Sequence, residues 1–177
     1  MAHSPDPHRP QVLYTVSLVW WMRLLSIALA LVLELAIGVP VLLALLGGDG
    51  RMMLAGLIVL PLLIAVPVIT LLANLQRFTV STAGITIRGW LGRRRIPWDE
   101  VAVVEVDRSV LGRGATVVLT RDGRRVRSEL TAARYALRRG ESASDHGPDL
   151  LQPARPTRAA IQAHQEHLRR RHPGAPR

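Results

Sequence analysis

From Leu24 to Leu75 the chain is almost continuously apolar, and from Phe78 onward apolar and polar residues alternate. The apolar region holds two runs. LLSIALALVLELAIGVPVLLALL covers residues 24–46 with one charge, and MMLAGLIVLPLLIAVPVITLLANL covers 52–75 with none. A bilayer core needs about 20 apolar residues of helix, so each run is long enough to span one. Both also exceed the ~7–15-residue apolar region of a signal peptide. The Gly-rich link of residues 47–51 is so short that the two spans must turn back on each other. Neither run has a polar face, which argues against the alternative of two buried helices of a soluble bundle.

Beyond Arg77 the period becomes two. RFTV places Phe78 and Val80 on one face, and after the STAG turn ITIRGW places Ile85 and Ile87 inward. LGRR reads as a second turn. RIPW follows it, with Pro97 arguing for an edge or a bulge. VAVVEVD alternates Val104 and Val106 with Glu105 and Asp107. TVVLT and RRVRSEL flank Arg121-Asp122-Gly123, and Asp-Gly is the strongest short hairpin signal in the chain. These six short strands in meander order predict an all-β roll or barrel. TAARYALRRG, with Thr131 as a helix cap and Gly140 as a stop, reads as a short helix or as a last strand and loop. Residues 140–155 read as a flexible connection. From Pro156 to 177 the pattern predicts a helix with Pro at its first position and a basic tail, with Ile161 and Leu168 on one face.

Charge supplies an orientation. All 23 basic residues are Arg, and the net charge is +10. From Gln76 onward there are 20 Arg against 10 acidic residues, a net of +10 in that part alone. Arg9 and Arg23 precede the first span; Arg77, Arg88 and the 93–95 run follow the second. The positive-inside rule therefore puts both termini in the cytoplasm and the 47–51 loop outside. Trp20 and Trp21 fit the interfacial aromatic belt. The expected order is a cytoplasmic segment (1–23), a two-span hairpin (24–75), a β domain (77–139), a connection (140–155) and a C-terminal helix and tail (156–177). The expected location is the inner cell membrane.

Glu34 lies near the middle of the first span. A carboxylate there costs roughly 2.5–3.5 kcal/mol, which the surrounding Leu, Ile and Val offset. Pro67 removes a helical donor and frees the carbonyl of Leu63 at nearly the same depth. A protonated Glu34 donating to that carbonyl is the structural reading. A contact with a second copy of the chain, or an ion path, are the others.

Candidate chemistry is sparse. There is no Cys, so no disulfide and no thiolate site. Gly112 and Gly114 form a lone G-x-G without the residues of a phosphate loop. Ser144, Asp145 and His146 are sequence neighbours, whereas a triad draws on distant segments. His164 and His167 stand in HQEH, not H-E-x-x-H, and no third ligand accompanies them or His172. Asp99 and Glu100 read as a charged turn beside Trp98. The Arg residues are scattered and lack an aromatic stacking platform, so nucleic acid is not an expected partner. No catalytic residue, metal or cofactor is expected.

The run RFTVSTAGITIRGWLGRRRIPWDEVAVVEVD resembles the start of a bacterial pleckstrin-homology (PH)-like domain, of the low-molecular-weight-antigen type found in small actinobacterial membrane proteins. The element carrying most of the resemblance is Ile96-Pro97-Trp98-Asp99-Glu100-Val101. It implies a curved antiparallel sheet closed by a C-terminal helix, with Ile96, Pro97 and Trp98 defining the fold, and no enzyme activity. Lipid-binding relatives hold inositol phosphates on basic residues of the first strand pair. Here the Ser81–Gly84 turn has none, and the arginines come one turn later. Arg93, Arg94 and Arg95 are therefore the candidate contact to lipid headgroups, expected at the tip of the second hairpin. The whole reads as a membrane helical hairpin followed by a mainly β PH-like domain, a protein-binding or scaffold module at the membrane surface. The expected partners are the bilayer, a membrane or cytoplasmic protein, and a second copy of the chain. The alternative is a small transport or ion-coupling subunit organised around Glu34.

Overall fold

The computed structural model describes residues 10–47, 50–90, 92–109, 114–141 and 153–171. They fall into two compact units, a helical one (18–75) and a β unit that combines residues before 18 with those after 75.

In the helical unit α1 (Trp20–Leu33) continues through a π-helical turn, Glu34–Gly38, into α2 (Val39–Leu46). The wider turn precedes Pro40, whose ring cannot sit against the carbonyl four residues earlier in a regular α-helix. Trp20–Ala44 is long and apolar enough to cross a membrane. A third helix, α3 (Gly50–Asn74), packs against α1 and α2. Two contacts show that α1 and α3 run antiparallel. Asn74 Nδ2 donates to Ser26 Oγ at 3.0 Å, and a Leu63 methyl group lies 3.6 Å from where a Gly38 Cβ would stand.

Among the described residues the β unit holds seven strands in two antiparallel sheets. The first has the order β1 (Val12–Ser17), β2 (Arg77–Ser81), β3 (Gly84–Gly89), β4 (Gly92–Pro97). The second has β5 (Val101–Val106), β6 (Thr116–Thr120) and β7 (Arg125–Ser128). Strand β1 is the element the sequence pattern left unassigned. It lies before the helices, yet it pairs with the first strand after them. The alternation read from sequence fixes the inner face: Phe78, Val80, Ile85, Ile87 and Ile96 of the first sheet are buried, as are Val101, Val104, Val118 and Val126 of the second. Strand β5 departs from strict alternation at a bulge between Val101 and Val103, which turns Val103 outward. The Asp122-Gly123 turn joins β6 to β7 with Gly123 at a φ of 82°.

After β7 the chain is neither a helix nor a strand but three short 3₁₀ turns spanning 129–139. Thr131 does not cap a helix. Its Oγ1 accepts from the Thr116 amide and donates to the Ser128 carbonyl, each at 2.7 Å. The segment is held by Arg139, whose side chain is fully buried. Its guanidinium donates to the carbonyls of Leu130 and Ala132 (2.6 and 2.7 Å) and to both oxygens of Glu141 (2.8 and 2.7 Å). Helix α4 (Arg155–Arg171) then packs against β1, β2 and β5. Its buried face is Pro156, Thr157, Ala160 and His164 rather than the expected Ile161–Leu168 stripe, and Leu168 is exposed. A Thr157–Thr116 hydroxyl contact of 2.8 Å explains how so polar a face can be buried.

Candidate functional site

The register of the first sheet sorts its side chains into rows. Facing inward are Val16, Phe78, Ile87 and Arg94 in one row and Tyr14, Val80, Ile85 and Ile96 in the next. Facing outward are Ser17, Arg77, Arg88 and Arg93, then Thr15, Thr79, Thr86 and Arg95. The three arginines predicted to act together are thus divided. They are not the hairpin tip. Trp90 stands in the turn beyond the Gly89–Gly92 pair that ends the ladder, and Arg93–Arg95 lie on the strand that follows. The turn is shorter than LGRR suggested because both glycines belong to the ladder. Pairing of β4 then alternates the arginines between the faces.

On the outer face Arg77, Arg88 and Arg93 stand directly opposite one another across three strands. All three are exposed, and with Thr79 and Thr86 they line a shallow hollow of about 250 Å³. None of the three has an ion pair among the described residues. Like charges directly opposite in a ladder are destabilising, so the row is an uncompensated cationic strip. Trp90, 43% exposed, stands at the adjoining tip.

Arg94 ends its inward row at the open edge of the sheet. There it faces strand β7 across a groove of about 340 Å³ lined by Ile87, Gly89, Gly92, Arg93, Arg94, Arg125, Val126 and Arg127. Arg127 is committed to acids, to Asp107 at 3.1 Å and Glu129 at 2.9 Å. The Ser109 amide and, more weakly, the arginines hold the Asp107 carboxyl below the usual carboxylate range. From sequence Arg77 and Arg88 served only as orientation signals, and neither they nor Trp90 and Arg125 were assigned to the contact. The parity signal was present in the alternation, but only register shows that they adjoin Arg93.

At the other end of the sheet lies the Ile-Pro-Trp element. Ile96 is buried, Pro97 ends the edge strand β4, and Trp98 starts a 3₁₀ turn, 3% exposed. Its Nε1 donates to the Ser81 carbonyl at 2.9 Å, and its ring stacks on His164 (5.7 Å) and His167 (6.2 Å) of α4. Asp99 in the same turn pairs with Arg171 and lies 3.5 Å from His167 Nε2. His164 Nε2 is enclosed without a hydrogen-bond partner. Burial, and then the neighbouring His167 charge, push the His164 pKa below the ordinary histidine value. These groups fasten α4 to the sheet. Among the described residues no three His, Asp or Glu side chains gather into a metal cluster.

Glu34 begins the π-helical turn. Its Oε1 is enclosed and makes no hydrogen bond to the Leu63 carbonyl. The helix widens at Glu34, so a depth count based on a regular helix does not carry across it. Gly114 makes a turn at a φ of 80°, its amide donating to Asp107 O at 2.9 Å. Gly112, Ser144, Asp145, His146 and His172 lie outside the described residues.

No curated protein and no solved structure matches the chain. A family model described as "Bacterial PH domain" matches residues 76–149. The antiparallel strands β2 to β7, which fall within the matched residues, are consistent with that match, which supports a bacterial PH-like domain in this part of the chain.

Proposed function

We propose that the chain is a membrane-anchored scaffold: a two-span helical hairpin holding a PH-like domain at the cytoplasmic face, where the domain binds protein partners. The observation that carries this reading is the pairing of Ser17 with Arg77. The helices from Trp20 to Asn74 are an insertion between two neighbouring strands of one sheet. If Trp20–Ala44 crosses a bilayer, the chain must cross it again before Arg77 can pair with Ser17. Helix α3, with 25 residues, is the only helix between them able to make that return among the described residues. If the helices cross the bilayer, the strand pairing supports a hairpin with both ends on one side, independently of any charge count.

The excess of Arg flanking the helices supports the cytoplasmic side. The chain has no Cys, so single cysteines report topology without background. Gly47→Cys should react with an impermeant thiol reagent in intact cells, and Leu137→Cys, at an exposed position, should react only after lysis. Labelling of Leu137→Cys in intact cells would reverse the orientation. Labelling of both would break the hairpin.

A further inference from the structure

We propose that the Arg77–Arg88–Arg93 row, together with Trp90, is the surface on which the domain rests against anionic phospholipid headgroups of its own bilayer. The inference builds on the membrane-anchored reading above and adds a lipid-contact site to it. Register supplies the first argument. Strands β1 and β2 meet the helical segment at Ser17 and Arg77, and the row that contains them continues through Arg88 to Arg93. The Gly89–Gly92 tip lies one pair beyond, at that same end of the sheet.

Chain length supplies the second. Leu18 and Val19 separate β1 from α1, and Leu75 and Gln76 separate α3 from β2. Two extended residues reach at most about 7 Å. Adjacent strands are about 4.8 Å apart, so Arg93 lies roughly 10 Å along the sheet from Arg77. The whole row therefore stays within about one or two Debye lengths of the points where the chain enters the helices.

Chemistry supplies the third. Three guanidinium groups without acid partners among the described residues, directly opposed across strands, repel one another and offer bidentate donors to phosphate. An exposed Trp beside them suits the interface between headgroups and acyl chains, where an apolar ring with one N–H donor is at home. An anionic bilayer satisfies the arginines and the Trp together. Arg94 faces the groove and Arg95 belongs to the row of threonines farther from the helix connections, so the headgroup contact is centred on Arg93 rather than on the whole 93–95 run.

The test uses the full chain in nanodiscs. Gly89→Cys accepts a fluorophore, since nothing lies within 4 Å of the added Cβ. Quenching by a headgroup nitroxide is measured in discs of phosphatidylcholine alone and in discs that also contain phosphatidylglycerol. We expect at least about twofold stronger quenching in the anionic discs, weakened by 0.5 M salt (screening length roughly 4 Å). Changing Arg77, Arg88 and Arg93 together to Gln should abolish the difference, while Arg94→Gln should retain it. Equal quenching in both lipids, or undiminished anionic enhancement in the triple variant, overturns the proposal. Should the triple variant misfold, Arg93→Gln and Trp90→Ser separately must each reduce the enhancement. A chain that fails to enter the discs at all defeats the membrane reading instead.

Discussion

Gly84 shows at the residue scale how a single side chain is excluded. It has a φ of 148°, and a Cβ there would stand 2.2 Å from the Ile96 carbonyl oxygen. The β2–β3 turn passes so close to β4 that only glycine fits. Gly84→Ala should destabilise the domain by about 2–3 kcal/mol, and a thermal midpoint within 1–2 °C of wild type would show that the turn can relax. Arg139 is the opposite case, a buried charge with every partner supplied by one segment. Removing one partner of a buried pair costs about 3–5 kcal/mol, so Arg139→Ala should unfold the 129–141 region and expose it to protease. Nothing in RYALRRG marks Arg139 as different from Arg138, because its burial depends on where the chain returns. Trp98 was legible, since Ile-Pro-Trp stands out in the pattern; its His164 and His167 partners were not. Trp98→Ala should cost about 3–5 kcal/mol. Loss of less than 1 kcal/mol would mean that the Trp98–α4 seam contributes little.

His164 adds a pH dependence at the same seam. Burial lowers its pKa in the folded protein, so the unfolded chain binds the proton more readily. The stability that the neutral ring contributes is complete above about pH 6.5 and declines as pH falls toward the lowered folded value. His167, Asp99, Arg121 and Arg171 surround the seam. The thermal midpoint should drop between pH 7.5 and 5.5 in wild type and drop less in His164→Gln. Parallel slopes in the two proteins would place the titrating group elsewhere.

Among the elements, six of seven strands could be read from alternation and turn residues, because one buried face imposes period two over each of them. Strand β1 carries a comparable signal in VLYTVS, with Pro10 ahead of it. It was overlooked because its partner lies some 60 residues away, beyond the helices, and alternation alone does not reveal a long-range partner. The face of α4 was misread for a related reason. Ile161 and Leu168 look like an apolar stripe, but Thr157 meets the buried Thr116 hydroxyl, and Ala160 and His164 are buried on the same face of the helix. The arginine run was placed at a tip because Gly92 looked like turn rather than ladder. Glu34 sits in the π-helical turn without a partner for Oε1. On the scaffold reading Glu34→Gln removes only an insertion cost, and the membrane-inserted fraction should be unchanged or higher. A variant that inserts normally but loses the cellular phenotype would favour the ion-coupling alternative.

For the whole molecule, the central claim is that a membrane hairpin interrupts the first sheet, so that strands on either side of it pair in the cytoplasm. The apolar runs made the long helices legible, and alternation made the β strands legible, but neither revealed that the β unit begins before the first helix. Thr15 and Thr79 report the closure directly. They are opposed across β1 and β2, and their hydroxyl oxygens lie 3.1 Å apart. Opposed residues of an antiparallel pair have Cα atoms about 4.5–5.5 Å apart, within the range of a disulfide. The decisive measurement is the free-thiol content of the full chain carrying Thr15→Cys and Thr79→Cys, oxidised in native membranes. The account predicts that both thiols are lost to an intramolecular disulfide that survives extraction into detergent, while a Thr15→Cys, Leu137→Cys control keeps two free thiols. Two reactive thiols in the Thr15–Thr79 pair, in protein that is fully membrane-inserted, would contradict it.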